Sequence, residues 1–223
     1  MDHRIIDQQL GILRDKVLLL GGKAERAVER AMKSLTTRDS DLAQTVLDED
    51  KVINQMELEI DHLSVEIIAL YQPAAHDLRL VISVAKITPV LERLADHAGN
   101  IAEAVIVINN EPQLRAFPDL TIMSTTAAEM LRNALDAFIA EDADQARSII
   151  RQDKVIDASY KKVFGDLIGM IINDPTTTTS AAQLLFVAKH LERIGDYVKD
   201  ICELTVYLAE ASIIKHSPRE SGD

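Results

Sequence analysis

Apolar residues recur every three or four positions along almost the whole chain, the period of an α-helix with one buried side. In the first such run, about 5–35, Leu10, Leu13, Val17, Leu20, Ala24, Ala27, Ala31 and Leu35 keep this step. Thr36-Thr37-Arg38-Asp39 breaks it, and Asp39 or Ser40 is suited to cap the next helix. The second run reaches about residue 70 through Leu42, Val46, Val52, Met56, Ile60, Leu63 and Ile67. It stops at Tyr71-Gln72-Pro73, because proline disfavours a helical residue before it. The third starts at Ala74 or Ala75 and continues to about residue 109, with Pro89 inside it as an expected kink. Asn109-Asn110-Glu111-Pro112 to Phe117-Pro118 reads as a linker. Three more helices are predicted over 119–140, 142–172 and 178–211, the last two separated by Asn173-Asp174-Pro175 and the threonines at 176–179. Residues 215–223 read as a flexible tail.

The two halves are copies. Asp50-Lys51-Val52-Ile53 recurs as Asp153-Lys154-Val155-Ile156, an offset of 103. Pro73 answers Pro175, and Val84-Ala85-Lys86 answers Val187-Ala188-Lys189. Glu92-Arg93-Leu94-Ala95-Asp96 answers Glu192-Arg193-Ile194-Gly195-Asp196 at an offset of 100. Blocks that recur in the same order predict an all-α fold of two tandem three-helix bundles. The first repeat spans 1–111 and the second 112–214, ahead of the tail at 215–223.

Composition narrows the classes. Of 223 residues, 47% are hydrophobic and none is Trp, so the expected core is aliphatic. The single cysteine, Cys202, excludes an intramolecular disulfide framework and a CxxC zinc site, and its place beside the apolar face of its helix predicts burial. No apolar run approaches 18 residues, and Met1 to Gln8 lack a signal-peptide core, so the cytoplasm is the expected compartment. With 24 Lys plus Arg against 36 Asp plus Glu, the net charge of −12 argues against nucleic-acid binding.

One pattern could carry chemistry. Glu92, Asp96, Asn100 and Glu103 fall within about 80° of one another around a helix, a polar stripe about 16 Å long. Glu192, Asp196, Asp200 and Glu203 repeat it. Carboxylates one turn apart can share a hard cation such as Mg²⁺, Mn²⁺ or an iron ion. The stripe also lies almost opposite its helix's apolar residues, as a solvated acidic face would. In the second copy Lys189, Arg193 and Lys199 stand three or four residues from the acids, as in ordinary intrahelical pairs. Lys199 occupies the place of Gly99. Both readings stay open on spacing alone. Glu59-Ile60-Asp61-His62 holds a single ExxH, where diiron bundles need two. His76, His97 and His190 are spread along the chain and read as surface or packing residues. Gly21-Gly22 reads as a thin spot where another helix approaches. No nucleophile with a partnered base is visible, so no enzyme is expected.

At the two ER[LI][AG]D motifs the chain resembles the PhoU family of bacterial phosphate-transport-system regulators. Tyr71-Gln72-Pro73-Ala74-Ala75-His76-Asp77-Leu78-Arg79, Leu91 to Glu103, and Leu185 to Asp196 carry the resemblance, which covers about 5–210. It implies a cytoplasmic adaptor that represses the phosphate-starvation response and phosphate uptake. The implied partners are the ATPase subunit of the phosphate ABC transporter and the sensor histidine kinase of a two-component system. Contact with the membrane is then only through partners, and a homodimer is expected. Some members carry multinuclear iron or zinc clusters on paired E(D)xxxD motifs, so the resemblance implies Glu92, Asp96, Asn100, Glu192, Asp196 and Asp200 as metal ligands. The alternative is a multinuclear metal-binding helical protein with a storage or enzymatic role. The chain departs from the family pattern at Pro89, Val90, Tyr197 and Asp200.

Overall fold

The computed structural model describes residues 2–214, with side chains from Ile5 onward; the predicted tail over 215–223 lies outside the described residues. Six helices follow one another: α1 (Asp2–Thr37), α2 (Ser40–Tyr71), α3 (Ala75–Asn109), α4 (Pro118–Ala140), α5 (Ala143–Asn173) and α6 (Thr178–Glu210). A 3₁₀ turn, Pro175–Thr177, leads into α6. The threonine tract after Pro175 thus holds a short helical turn, in which the Asp174 carboxylate accepts from the Thr176 amide at 3.1 Å.

The helix starts show the duplication at atomic level. The carboxylate of Asp39 accepts from the amide of Leu42 at 2.9 Å, and that of Asp142 from the amide of Gln145 at 2.8 Å. Each satisfies an amide that has no partner within its helix. The residue before each cap, Arg38 or Glu141, takes a left-handed backbone with φ of 53° or 54°. α3 continues through Pro89, which lacks the N–H that would reach the carbonyl of Ala85.

Within each repeat the three helices pack on one another, and the repeats join along α3 against α6 and α1 against α4. The core is aliphatic as expected: Leu20, Leu91, Ile101, Leu191 and Ile201 are fully buried, and Phe117 and Phe138 are its buried aromatic rings. Each such side chain contributes about 1.5–3 kcal/mol on leaving water. Gly21 is the thin spot predicted for α1, since a Cβ there would run into Leu135 of α4. The two ER[LI][AG]D helices, α3 and α6, thus lie side by side, each with its acidic stripe turned outward.

Candidate functional site

On α3 the residues Leu91, Leu94, Ala95, Ala98, Ile101, Ala102 and Val105 are buried, which turns Glu92, Asp96, Asn100 and Glu103 outward. The stripe is not a uniformly solvated face. Glu92 is half-buried, and α2 brings Asp50 and Glu57 up to it. Burial pushes the Glu92 carboxyl up to about 7, assisted by the negative charges of Asp96, Glu57 and Asp50. Asp96 is raised by burial and by Asp50. Among the described residues, none of these four carboxylates lies at ion-pair distance from a lysine or arginine. Asn54, one turn beyond Asp50, donates to Asp50 Oδ2 at 2.9 Å, while its own Oδ1 is buried with no donor. This is an oxygen-rich groove that a proton or a cation would relieve.

The far end of the stripe faces elsewhere. Asn100 and Glu103 line a shallow cleft of about 270 Å³ between α3 and α6, with Gln183, Phe186 and His190. The packing therefore separates Glu92 and Asp96, which face α2, from Asn100 and Glu103, which face α6. Among the described residues no group of three or more His, Cys, Asp or Glu side chains stands ready-made to hold a metal ion.

The second copy has the same skeleton and a different charge balance. The ammonium of Lys199 donates to Asp153 of α5 and lies 2.8 Å from Asp196 Oδ1. Burial works against this ammonium, but the hydrogen bonds to Asp153 and Asp196 outweigh it and carry Lys199 up to about 12. Glu192 pairs with Lys189 at 2.6 Å, and Asp196 with Arg193 at 3.3 Å, the intrahelical pairs that the spacing predicts. Asp200 and Glu203 continue the face, half-buried. A protein cation already stands beside Asp196.

Two further findings revise the sequence reading. His97 and His190 are not isolated packing residues: their Nδ1 atoms are 2.9 Å apart, and Tyr197 stacks on His97 at 5.5 Å. Asp50, Glu57 and Asp153 were missed as members of the acidic faces. The block repeated from Asp50 and from Asp153 carried a signal for two of them. Cys202 is buried as expected, and burial pushes its thiol up to about 12. Glu59 of the lone ExxH pairs with Lys16 at 2.9 Å.

Known proteins with this geometry agree on one lineage. The model of the PhoU domain matches residues 17–105 and again 120–205. A Pseudomonas aeruginosa protein named phosphate-specific transport system accessory protein PhoU homolog is 36% identical over 220 residues, covering 97% of this chain and 91% of its own. The Escherichia coli K12 phosphate-specific transport system accessory protein PhoU is 35% identical over 208 residues, covering 93% and 86%. The crystal structure of PhoU from Pseudomonas aeruginosa superposes with a TM-score of 0.89 at 37% identity, over 92% of this chain and 99% of that one. That of the phosphate transport system regulatory protein PhoU from Streptococcus pneumoniae superposes with a TM-score of 0.87 at 33% identity, over 93% and 98%. With both repeats matched and the six-helix fold shared, the chain belongs to the PhoU family.

Proposed function

We propose that the protein is a negative regulator of the phosphate-starvation response and of phosphate uptake. It works as a cytoplasmic adaptor between the ATPase of the phosphate ABC transporter and a sensor histidine kinase. The observation that carries this reading is the match of both repeats to PhoU, in relatives named as accessory proteins of phosphate-specific transport. Two features suit it. The net charge of −12 favours docking on basic patches of partners. Among the described residues no helix is long and apolar enough to cross a membrane, so membrane-bound partners would bring the protein there. The adaptor acts as a homodimer and transmits the state of the transporter by favouring the dephosphorylating form of the kinase. Deleting its gene tests this: a starvation reporter should turn on at high phosphate and be silenced by the restored gene. Normal repression in the deletion strain overturns the reading.

We propose further that a cation enters at the first repeat. Glu92 and Asp96 would hold it, with Asp50 and Glu57 of α2 as additional oxygen donors and Asn100 at the margin. Bound there, the ion would supply positive charge that offsets the repulsion among these carboxylates and ties α2 to α3. The all-oxygen donor set suits Mn²⁺, Mg²⁺ or iron better than zinc. The corresponding set Glu192, Asp196 and Asp200 does not fit a metal, because Lys199 takes its place. Elemental analysis of the purified protein should find metal that Glu92→Ala with Asp96→Ala removes. Equal metal in both proteins, or none in either, overturns it.

A further inference from the structure

We propose that Lys199 is the resident cation of the second repeat, a protein ammonium standing where the first repeat leaves its acidic face open. Asp50 corresponds to Asp153 and Asp96 to Asp196. At the first face the position between that pair belongs to Gly99, and at the second to Lys199. The Lys199 ammonium spans the two helices as a bound ion would, touching Asp153 of α5 and, at 2.8 Å, Asp196 of its own helix.

The surroundings differ as well: the second face gains acids, with Asp157 for Asn54 and Asp200 for Asn100, and it also gains groups that offset them. Glu57 of the first face is replaced by Tyr160, whose ring lies 5.4 Å from the ammonium of Lys189. Lys189 itself pairs with Glu192, whereas its counterpart Lys86 lies over the ring of Tyr207 at 5.8 Å. Ala95 becomes Gly195, and the missing methyl lets Asp153 sink until it is only 5% exposed, with Oδ1 bearing no hydrogen bond. A carboxylate so deeply placed needs a fixed partner, since an unpaired buried charge is costly. At the first face a side chain added at Gly99 would meet only Leu47 Cδ2, at 3.7 Å, an ordinary contact. The first face is open where the second is filled.

The comparison rests on the cation reading of the first repeat, but the role of Lys199 has its own test. Full-length wild type, Lys199→Ala, Lys199→Met and Gly99→Lys are melted in chelator and in Mn²⁺, and bound Mn²⁺ is counted by electron paramagnetic resonance. Lys199→Ala should melt lower in chelator, recover in Mn²⁺ and bind more Mn²⁺ than wild type, a gain abolished by adding Asp196→Asn. Lys199→Met, which keeps the bulk without the charge, should melt lower and gain no ion. Gly99→Lys should melt higher in chelator and lose the Mn²⁺ of the first face. Should Lys199→Ala fail to fold, Gly99→Lys decides alone: retention of its Mn²⁺ overturns the proposal. A folded Lys199→Ala that gains no Mn²⁺ while wild type binds it also overturns the proposal and leaves the first face standing. Gain in Lys199→Ala with none in wild type keeps the proposal and removes the cation from the first face. No Mn²⁺ in either overturns both.

Discussion

His97 of α3 and His190 of α6 meet through Nδ1 atoms 2.9 Å apart, a contact that joins the two repeats. One ring donates and the other accepts, so the pair is satisfied when both are neutral. Burial, then the charges of His190 and Arg193, holds His97 down at about 4, and burial also lowers His190 against the pull of Glu103. A histidine depressed on folding binds fewer protons in the native state than in the unfolded one. The contribution of this histidine is therefore intact above pH 6.5 and is lost as the pH drops from there toward 4. Discounted for partial exposure, the loss is about 1–2 kcal/mol. Urea unfolding between pH 7.5 and 4.5 should show it in a Glu92→Gln background, where the opposing carboxyl is absent, and adding His97→Gln should flatten the acid limb. An unchanged slope in the variant would place the loss at other groups.

Glu92 has the opposite sign. Its carboxyl is raised from 4.5 to about 7, so the folded state favours the protonated acid. That contribution is complete below about pH 4.5 and disappears as the pH rises through 7. Glu92→Gln, which fixes the neutral form, should melt higher than wild type at pH 8 by the equivalent of about 1 kcal/mol, with the two converging at pH 4.5. The comparison is made in chelator, because a bound cation would also stabilise the ionised wild type. A variant that melts lower at pH 8 would show that the carboxylate makes a favourable contact there.

The helices were legible because their apolar period is unbroken over three turns or more, and because Asp39, Pro73 and Pro175 mark breaks between them. α1 begins at Asp2, ahead of the apolar period that starts near residue 5, since polar residues at a helix end carry no period. The site was half legible. Spacing along one helix places Glu92 and Asp96 on one side of α3, but says nothing of what another helix presents to them. Asp50 and Glu57 reach that side only through the packing of α2 on α3. His97 and His190 are 93 residues apart and meet only because the repeats join along α3 and α6.

Gly195 shows why the second motif has glycine where the first has Ala95. A Cβ there would lie 2.8 Å from Asp153 Oδ1 and 2.9 Å from Ile156 Cδ1. Both neighbours are buried, so neither can move aside freely. Gly195→Ala gains helix propensity of about 1 kcal/mol, yet overpacking of a tight core costs about 1–3 kcal/mol. The expected outcome is a net loss in melting temperature. A rise would mean that Asp153 can retreat from α6 without losing Lys199.

Arg38 holds a turn and a helix end together, and the two roles can be separated. Its guanidinium Nη2 donates to the carbonyls of Ile108, Asn109 and Glu111 at 3.2, 3.0 and 2.8 Å, closing the C-terminal end of α3. Its backbone is left-handed at φ 53°, a conformation that glycine adopts more readily. Arg38→Ala removes the donors and keeps the backbone strain; Arg38→Gly removes both. Loss of charge-assisted bonds to partly buried carbonyls should cost about 1.5–3 kcal/mol in the alanine variant. The glycine variant should recover about 1 kcal/mol of that, the strain of a left-handed residue with a Cβ. Hydrogen exchange at the amides from Glu111 to Leu114 provides the local readout. Both variants should exchange faster there than wild type, because the link from Arg38 to this segment is lost equally in each. Faster exchange in the alanine variant alone would assign the effect to the turn backbone and not to the guanidinium.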